Sequence, residues 1–175
     1  MVKEKVPSKK EKEKENKGSK KFTSKSIELD IKSLTDDIYR VDIEFHGLNH
    51  SGPSYEGRIF INNPNADHDT PRTKKNGFVG SYHIFGHGGC FGGIGHCSIN
   101  KNKTRMPYDF RPSHPLTPIY KRVEITEYFS NIKKNKFDFS VTVVPILAKG
   151  FDKCPVHMDI QDIVKMDKIM LKTYR

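Results

Sequence analysis

Beyond its first two dozen residues, the chain repeatedly alternates apolar and polar side chains with a period of two. Ile27, Leu29 and Ile31 are separated by Glu28 and Asp30, and Tyr39, Val41, Ile43 and Phe45 by Arg40, Asp42 and Glu44. Tyr55, Ile59 and Ile61 share a face opposed by Glu56 and Arg58, while Phe137, Phe139, Val141 and Val143 alternate with Asp138, Ser140 and Thr142. Successive side chains of a strand point to opposite sides, so each run predicts one apolar and one solvated strand face. Further strands are expected over 78–85, 119–125 and 164–172, the last with a face switch at Asp167 and Lys168 that suggests a bulge. These seven segments, divided by turn-forming stretches such as Ser51-Gly52-Pro53 and Asn62-Asn63-Pro64, predict an all-β fold, an antiparallel β-sandwich spanning residues 25–175. Helix is scarce. One short helix is expected from Thr126 to Lys133, with Thr126 as N-cap and Phe129 and Ile132 facing inward. There is no internal repeat. The proline-rich connection from Asn100 to Pro118 reads as an extended surface strap.

The charge sits mostly at the start. Residues 1–25 hold ten lysines and four glutamates, which leaves +4 of the net +10 for the other 150 residues. Residues 1–24 carry almost no apolar side chains to offset the entropy of ordering, so they are expected to be a disordered tail. Lys9, Lys10, Lys20 and Lys21 are its candidate contacts to nucleic acid or another polyanion, or part of a nuclear signal. The interspersed glutamates favour a solubilising leader instead, and Phe22 is the only aromatic placed to stack on a base.

The first residues, Met1-Val2-Lys3-Glu4-Lys5, lack the apolar centre of a secretory signal. The longest apolar run, Val141 to Ala148, is interrupted by Thr142 and Pro145 and is far shorter than a membrane span. The expectation is a soluble, intracellular protein with no membrane partner. Cys90, Cys97 and Cys154 are too few for a disulfide scaffold, which favours free thiols or metal ligands, although Cys90 and Cys97 can bridge in an oxidising compartment.

Chemistry concentrates in one stretch, residues 77–99. Eight of the thirteen glycines lie between Gly77 and Gly95, so a strand beginning at Phe78 passes after Gly86 into a glycine-rich loop bearing His87, Cys90, His96 and Cys97. Two imidazoles and two thiolates suit a closed four-coordinate site for zinc or Cu(I). Against this stand the adjacency of His96 and Cys97 and a spacing unlike any zinc finger. The alternatives are a purely structural loop and a thiol–histidine enzyme with Cys90 or Cys97 as nucleophile and His87 as base. No orienting acid or oxyanion hole is evident for the latter. Asn65, Asp67 and Asp69 form a polar loop without the order of a calcium-binding hand and read as turn formers.

Five segments resemble a known family. They are Tyr55-Glu-Gly-Arg-Ile-Phe-Ile-Asn-Asn-Pro-Asn-Ala-Asp67, Gly80-Ser-Tyr-His-Ile-Phe-Gly-His87, Gly95-His-Cys97, Arg111-Pro-Ser-His-Pro-Leu-Thr-Pro118 and Val141-Thr-Val-Val-Pro145. Together, over residues 38–173, they resemble the β-sandwich domain that follows the catalytic domain in tyrosinase and polyphenol oxidase polypeptides, bacterial-type members above all. The resemblance implies a domain rather than an activity. In that family phenols are oxidised at two copper ions held by six histidines on a four-helix bundle, beside which the sandwich lies. His46/His50 and His83/His87 are spaced i, i+4, which on a helix would place both imidazoles of a pair on one face, but these pairs lie at a strand end and at a strand-to-loop junction, where that helical geometry is lost. The expected function is a non-catalytic interaction or structural module with a protein partner, no catalytic residue and no cofactor. The alternative is an accessory or copper-delivery partner of a separately encoded tyrosinase-like enzyme.

Overall fold

The structure, a computed structural model, describes residues 20–30, 39–87, 108, 116–130, 136–147 and 162–174. Nine strands, one short α-helix and a 3-10 turn (Lys74–Asn76) lie within them: β1 Phe22–Thr23, β2 Ile27–Asp30, β3 Arg40–Leu48, β4 Tyr55–Ile61, β5 Phe78–Ile84, β6 Ile119–Glu124, α1 Thr126–Ser130, β7 Lys136–Phe139, β8 Val141–Leu147 and β9 Lys168–Tyr174. All pairings are antiparallel. One sheet has the order β1-β8-β4-β5 and a second the order β6-β3-β9, with a two-strand ladder β2-β7 beside them. The fold is therefore the all-β sandwich that the alternation predicts.

The inner faces are the apolar ones. Val41, Ile43 and Phe45 of β3 meet Ile59 and Ile61 of β4, Tyr82 and Ile84 of β5, and Val141 and Val143 of β8 in one core. Gly57 admits a close approach there: a Cβ would stand 2.6 Å from the Tyr82 ring, which lies across β4 at its paired position. Tyr82 in turn tilts against Phe45 at 4.9 Å. A second, smaller cluster of Phe60, Ala66 and Val144 lies on the outer side of the larger sheet, where the loop after β4 folds back over it.

Several expectations change in three dimensions. The alternating run over residues 137–143 is two strands, not one. Asn62, in the left-handed region at φ 54, donates its backbone N–H to Ser140 O and accepts Ser140 N–H at its side-chain oxygen, both at 2.9 Å. That intrusion parts β7 from β8 and accompanies a one-residue slip between Phe22↔Val143 and Ile27↔Phe139. Thr142, read as solvated, is fully buried. The strand expected over 164–172 begins only at Lys168; Ile163 and Val164 enter the core from irregular chain, so the face switch marks a strand start. Register irregularities lie instead on β3, between Phe45 and Leu48, and on β4, between Ile59 and Phe60. Thr126 is not an N-cap: its hydroxyl accepts Val41 N–H at 3.0 Å and donates to Glu124 at 2.9 Å, tying α1 to β3. Phe129 is buried as expected, and Ile132 and most of the 100–118 strap lie outside the described residues.

The last residues of the segment expected to be a tail, 1–24, belong to the sandwich, and residues 1–19 lie outside the described ones. Phe22 and Thr23 pair with β8, Ser24 donates its backbone N–H to Val141 O and its hydroxyl accepts Val141 N–H, both at 2.9 Å. Half-buried Phe22 packs on the core, the contact that the low overall hydrophobicity of the segment concealed. A truncation starting at Lys25 is therefore expected to be less stable than one starting at Lys20 by about 1–3 kcal/mol, from lost hydrogen bonds and apolar burial. Equal melting temperatures for the two truncations would show that β1 contributes nothing.

Candidate functional site

The chain leaves β5 through Phe85, Gly86 and His87, and this exit is held at three points. Gly86 N–H donates to the Ser54 hydroxyl at 3.0 Å, and His87 N–H donates to His50 O at 2.9 Å. Gly86 lies so close to Gly52 and Pro53 that a Cβ would stand 2.1 Å from Gly52 O, which restricts the position to glycine. The consequence is a fixed launch point for the glycine-rich stretch.

Around this exit three histidines and a phenylalanine face outward. His83 and His87 are exposed, and Phe85 is 82% exposed. The His50 and His87 rings meet edge to face at 5.0 Å. His50 donates from Nε2 to Thr117 O at 2.8 Å, which fixes the orientation of its ring. Beside Phe85 a groove of about 320 Å³ opens between β4, β5 and β8, with Tyr55, Ile84, Ile146 and Leu147 along it and Glu56 and His83 at its rim.

Of the predicted ligands, only His87 is among the described residues; Cys90, His96 and Cys97 lie outside them, as do Cys154 and His114. The neighbour that the structure supplies to His87 is His50, which sequence spacing pairs with His46. The pairing arises because the turn after β3 and the exit of β5 share one end of the sandwich, information absent from linear spacing. Among the described residues no group of three or more His, Cys, Asp or Glu is arranged for a metal ion. Asp67 shapes a turn, accepting Asp69 N–H at 3.1 Å and the Thr70 hydroxyl at 2.8 Å. Of the candidate polyanion contacts, Lys20 is exposed, Lys21 donates to Ala66 O at 3.2 Å, and Lys9 and Lys10 lie outside the described residues.

A second polar centre escaped the sequence reading. Asp42 and Glu44, placed by alternation on a solvated face, are buried at 0% and 6% exposure under the side chains of β6 and β9. Arg40 Nε donates to Asp42 Oδ1 at 2.8 Å, while Asp42 Oδ2 has no hydrogen-bond partner among the described residues. Glu44 accepts the Tyr120 hydroxyl at 2.7 Å and His46 Nε2–H at 3.0 Å, with Lys172 Nζ 3.9 Å away. The Tyr120 hydrogen bond, then those from His46 and the charge of Lys172, hold the Glu44 carboxyl below the usual carboxylate range. The same bond pushes the Tyr120 phenol up to about 12. The signal that could have exposed this centre is an acid on each inward-neighboured position of a strand flanked on both sides, but flanking is a tertiary fact.

No protein-family model matches the chain, and no curated protein matches it.

Because its folded pKa is depressed, Glu44 contributes stability above the ordinary carboxylate pKa that is lost as pH falls through the folded value. Tyr120 has the opposite sign: its contribution is present below pH 10 and lost as pH rises toward about 12. Glu44→Gln is expected to lower stability by about 1–3 kcal/mol at neutral pH and to flatten the acid limb of a melting-temperature profile. Tyr120→Phe should flatten the alkaline limb. Unchanged profiles in both variants would remove the network from the stability of the fold.

Proposed function

We propose that the chain acts as a non-catalytic β-sandwich module that binds another protein through the end of the sandwich at the β5 exit. The observation that carries this reading is Phe85: a large aromatic side chain 82% exposed, standing beside an apolar groove. An aromatic anchor next to a groove, with charged groups at the rim, is the usual composition of an interface centre. The backbone around it is tied to Ser54 and His50, so little conformational entropy is lost on binding. The resemblance to the tyrosinase C-terminal sandwich supports the same reading and suggests a helical enzyme domain as the partner class.

A second reading, delivery of copper to a separately encoded tyrosinase-like enzyme, is favoured by the His50–His87 contact at the mouth of the stretch that carries Cys90, His96 and Cys97. Imidazole and thiolate are the ligand types that Cu(I) takes. In that reading about one Cu(I) per chain survives gel filtration and is lost when Cys90→Ser and Cys97→Ser are combined.

For the first reading, a photo-crosslinking phenylalanine analogue placed at position 85 is expected to capture one discrete partner in native lysate. The same analogue at Tyr39, 67% exposed on another part of the surface, should not capture it. Identical adducts from both positions, or none from 85, would discard Phe85 as the anchor. The purified chain is also expected to hold no copper pair and to leave catechols unoxidised; two copper ions per chain with diphenol oxidation would overturn the non-catalytic reading.

A further inference from the structure

At the opposite end of β5, away from Phe85, a cleft of about 570 Å³ separates the start of that strand from the β6–α1 corner. Its walls are Phe78 and Val79 on one side, Ile125 and Tyr128 on the other. Ile125 is buried, and the Tyr128 phenol is pushed up by burial and hydrogen-bonded to Asn62. The volume is that of a small-molecule site.

The mouth carries charge of both signs on opposite sides. Lys74 and Arg72 come from the loop before β5; Glu127 and Glu124 come from the β6–α1 corner. Lys74 and Glu127 form an ion pair across the opening, with side chains 75% and 74% exposed. An ion pair so exposed is worth little and opens readily. Arg72 gives Nη2 to Glu56 at 2.9 Å and is otherwise half exposed, which leaves its guanidinium further donors toward the mouth.

We propose that this cleft binds a small zwitterion with an aromatic side chain, an α-amino acid or short peptide. Its carboxylate replaces Glu127 on Lys74 and reaches Arg72, and its ammonium replaces Lys74 on Glu127. The exchange gains an ion pair: one weak, solvated bridge is traded for two to the ligand. The ring enters between Phe78 and Tyr128, where offset or edge contacts favour an aromatic over an aliphatic body. A purely anionic or purely cationic ligand pairs with only one side of the mouth. The proposal does not rest on the protein-binding reading: the cleft and the Phe85 groove share no lining residue and meet only at the Arg72–Glu56 ion pair.

The test is methyl-detected NMR titration of the full chain with four probes: L-phenylalanine, phenylalanyl-phenylalanine, 3-phenylpropionate and phenethylamine. Shifts at the Val79 and Ile125 methyls report the cleft itself. The two zwitterions are expected to bind about tenfold more tightly than either single-charge analogue, the factor that one charge-assisted hydrogen bond carries. The tighter of the two zwitterions distinguishes free amino acid from peptide. Lys74→Met should weaken 3-phenylpropionate but not phenethylamine, and Glu127→Gln should do the reverse; both positions are exposed, so both variants should melt as the parent does. Equal affinity for N-acetyl-phenylalanine amide, which has no charge, or no shift at Val79 and Ile125 with any probe, would overturn the proposal.

Discussion

The fold turns on the central strand of the smaller sheet, which has to bury two carboxylates to put three apolar side chains in the core. β3 lies between β6 and β9, so neighbouring side chains cover its outer face. Val41, Ile43 and Phe45 point inward, and the two-residue period then commits Asp42 and Glu44 to the covered face. Burying charge is unfavourable unless each group is partnered. Arg40 answers Asp42; Tyr120, His46 and Lys172 answer Glu44. Tyr174 closes the end, its ring 5.5 Å from the Arg40 guanidinium and 5.4 Å from the Lys172 ammonium. The partners come from β3 itself and from the strands on each side of it. A one-residue slip of β3 would turn both acids into the apolar core, so the same groups that cost desolvation also fix the register.

The larger sheet is held in relation to this one by its corners. Asn62 parts β7 from β8 at Ser140 and touches Tyr128, while the Thr126 hydroxyl joins the β6–α1 corner to β3 through Val41 N–H. β5 is the outermost strand of its sheet, and both surfaces assigned a role here belong to it. Its start faces α1 across the cleft proposed to take a zwitterion; its end delivers Phe85 beside the apolar groove. An edge strand leaves one row of backbone groups without a neighbouring strand, whereas β3 is flanked on both sides, so the two proposed surfaces lie along β5 and the buried polar network along β3.

Residue pattern alone determined that the chain is an antiparallel β-sandwich, where five of its strands run and which side chains of those strands face the core, because the two-residue period and the turn residues are local properties. It also marked the β5 exit as the place where chemistry concentrates, since glycine, histidine and cysteine density is read without coordinates. Only the tertiary structure decided which faces are covered. Asp42, Glu44 and Thr142 have the sequence of a solvated face and are buried, because a neighbouring strand or loop covers them from a distance in sequence. Phe22 sits in a lysine-rich segment yet pairs with Val143, a partner 121 positions away. His50 meets His87 rather than His46 for the same reason: alternation fixes the side of a strand a residue takes, and the packing of distant segments fixes what it meets there.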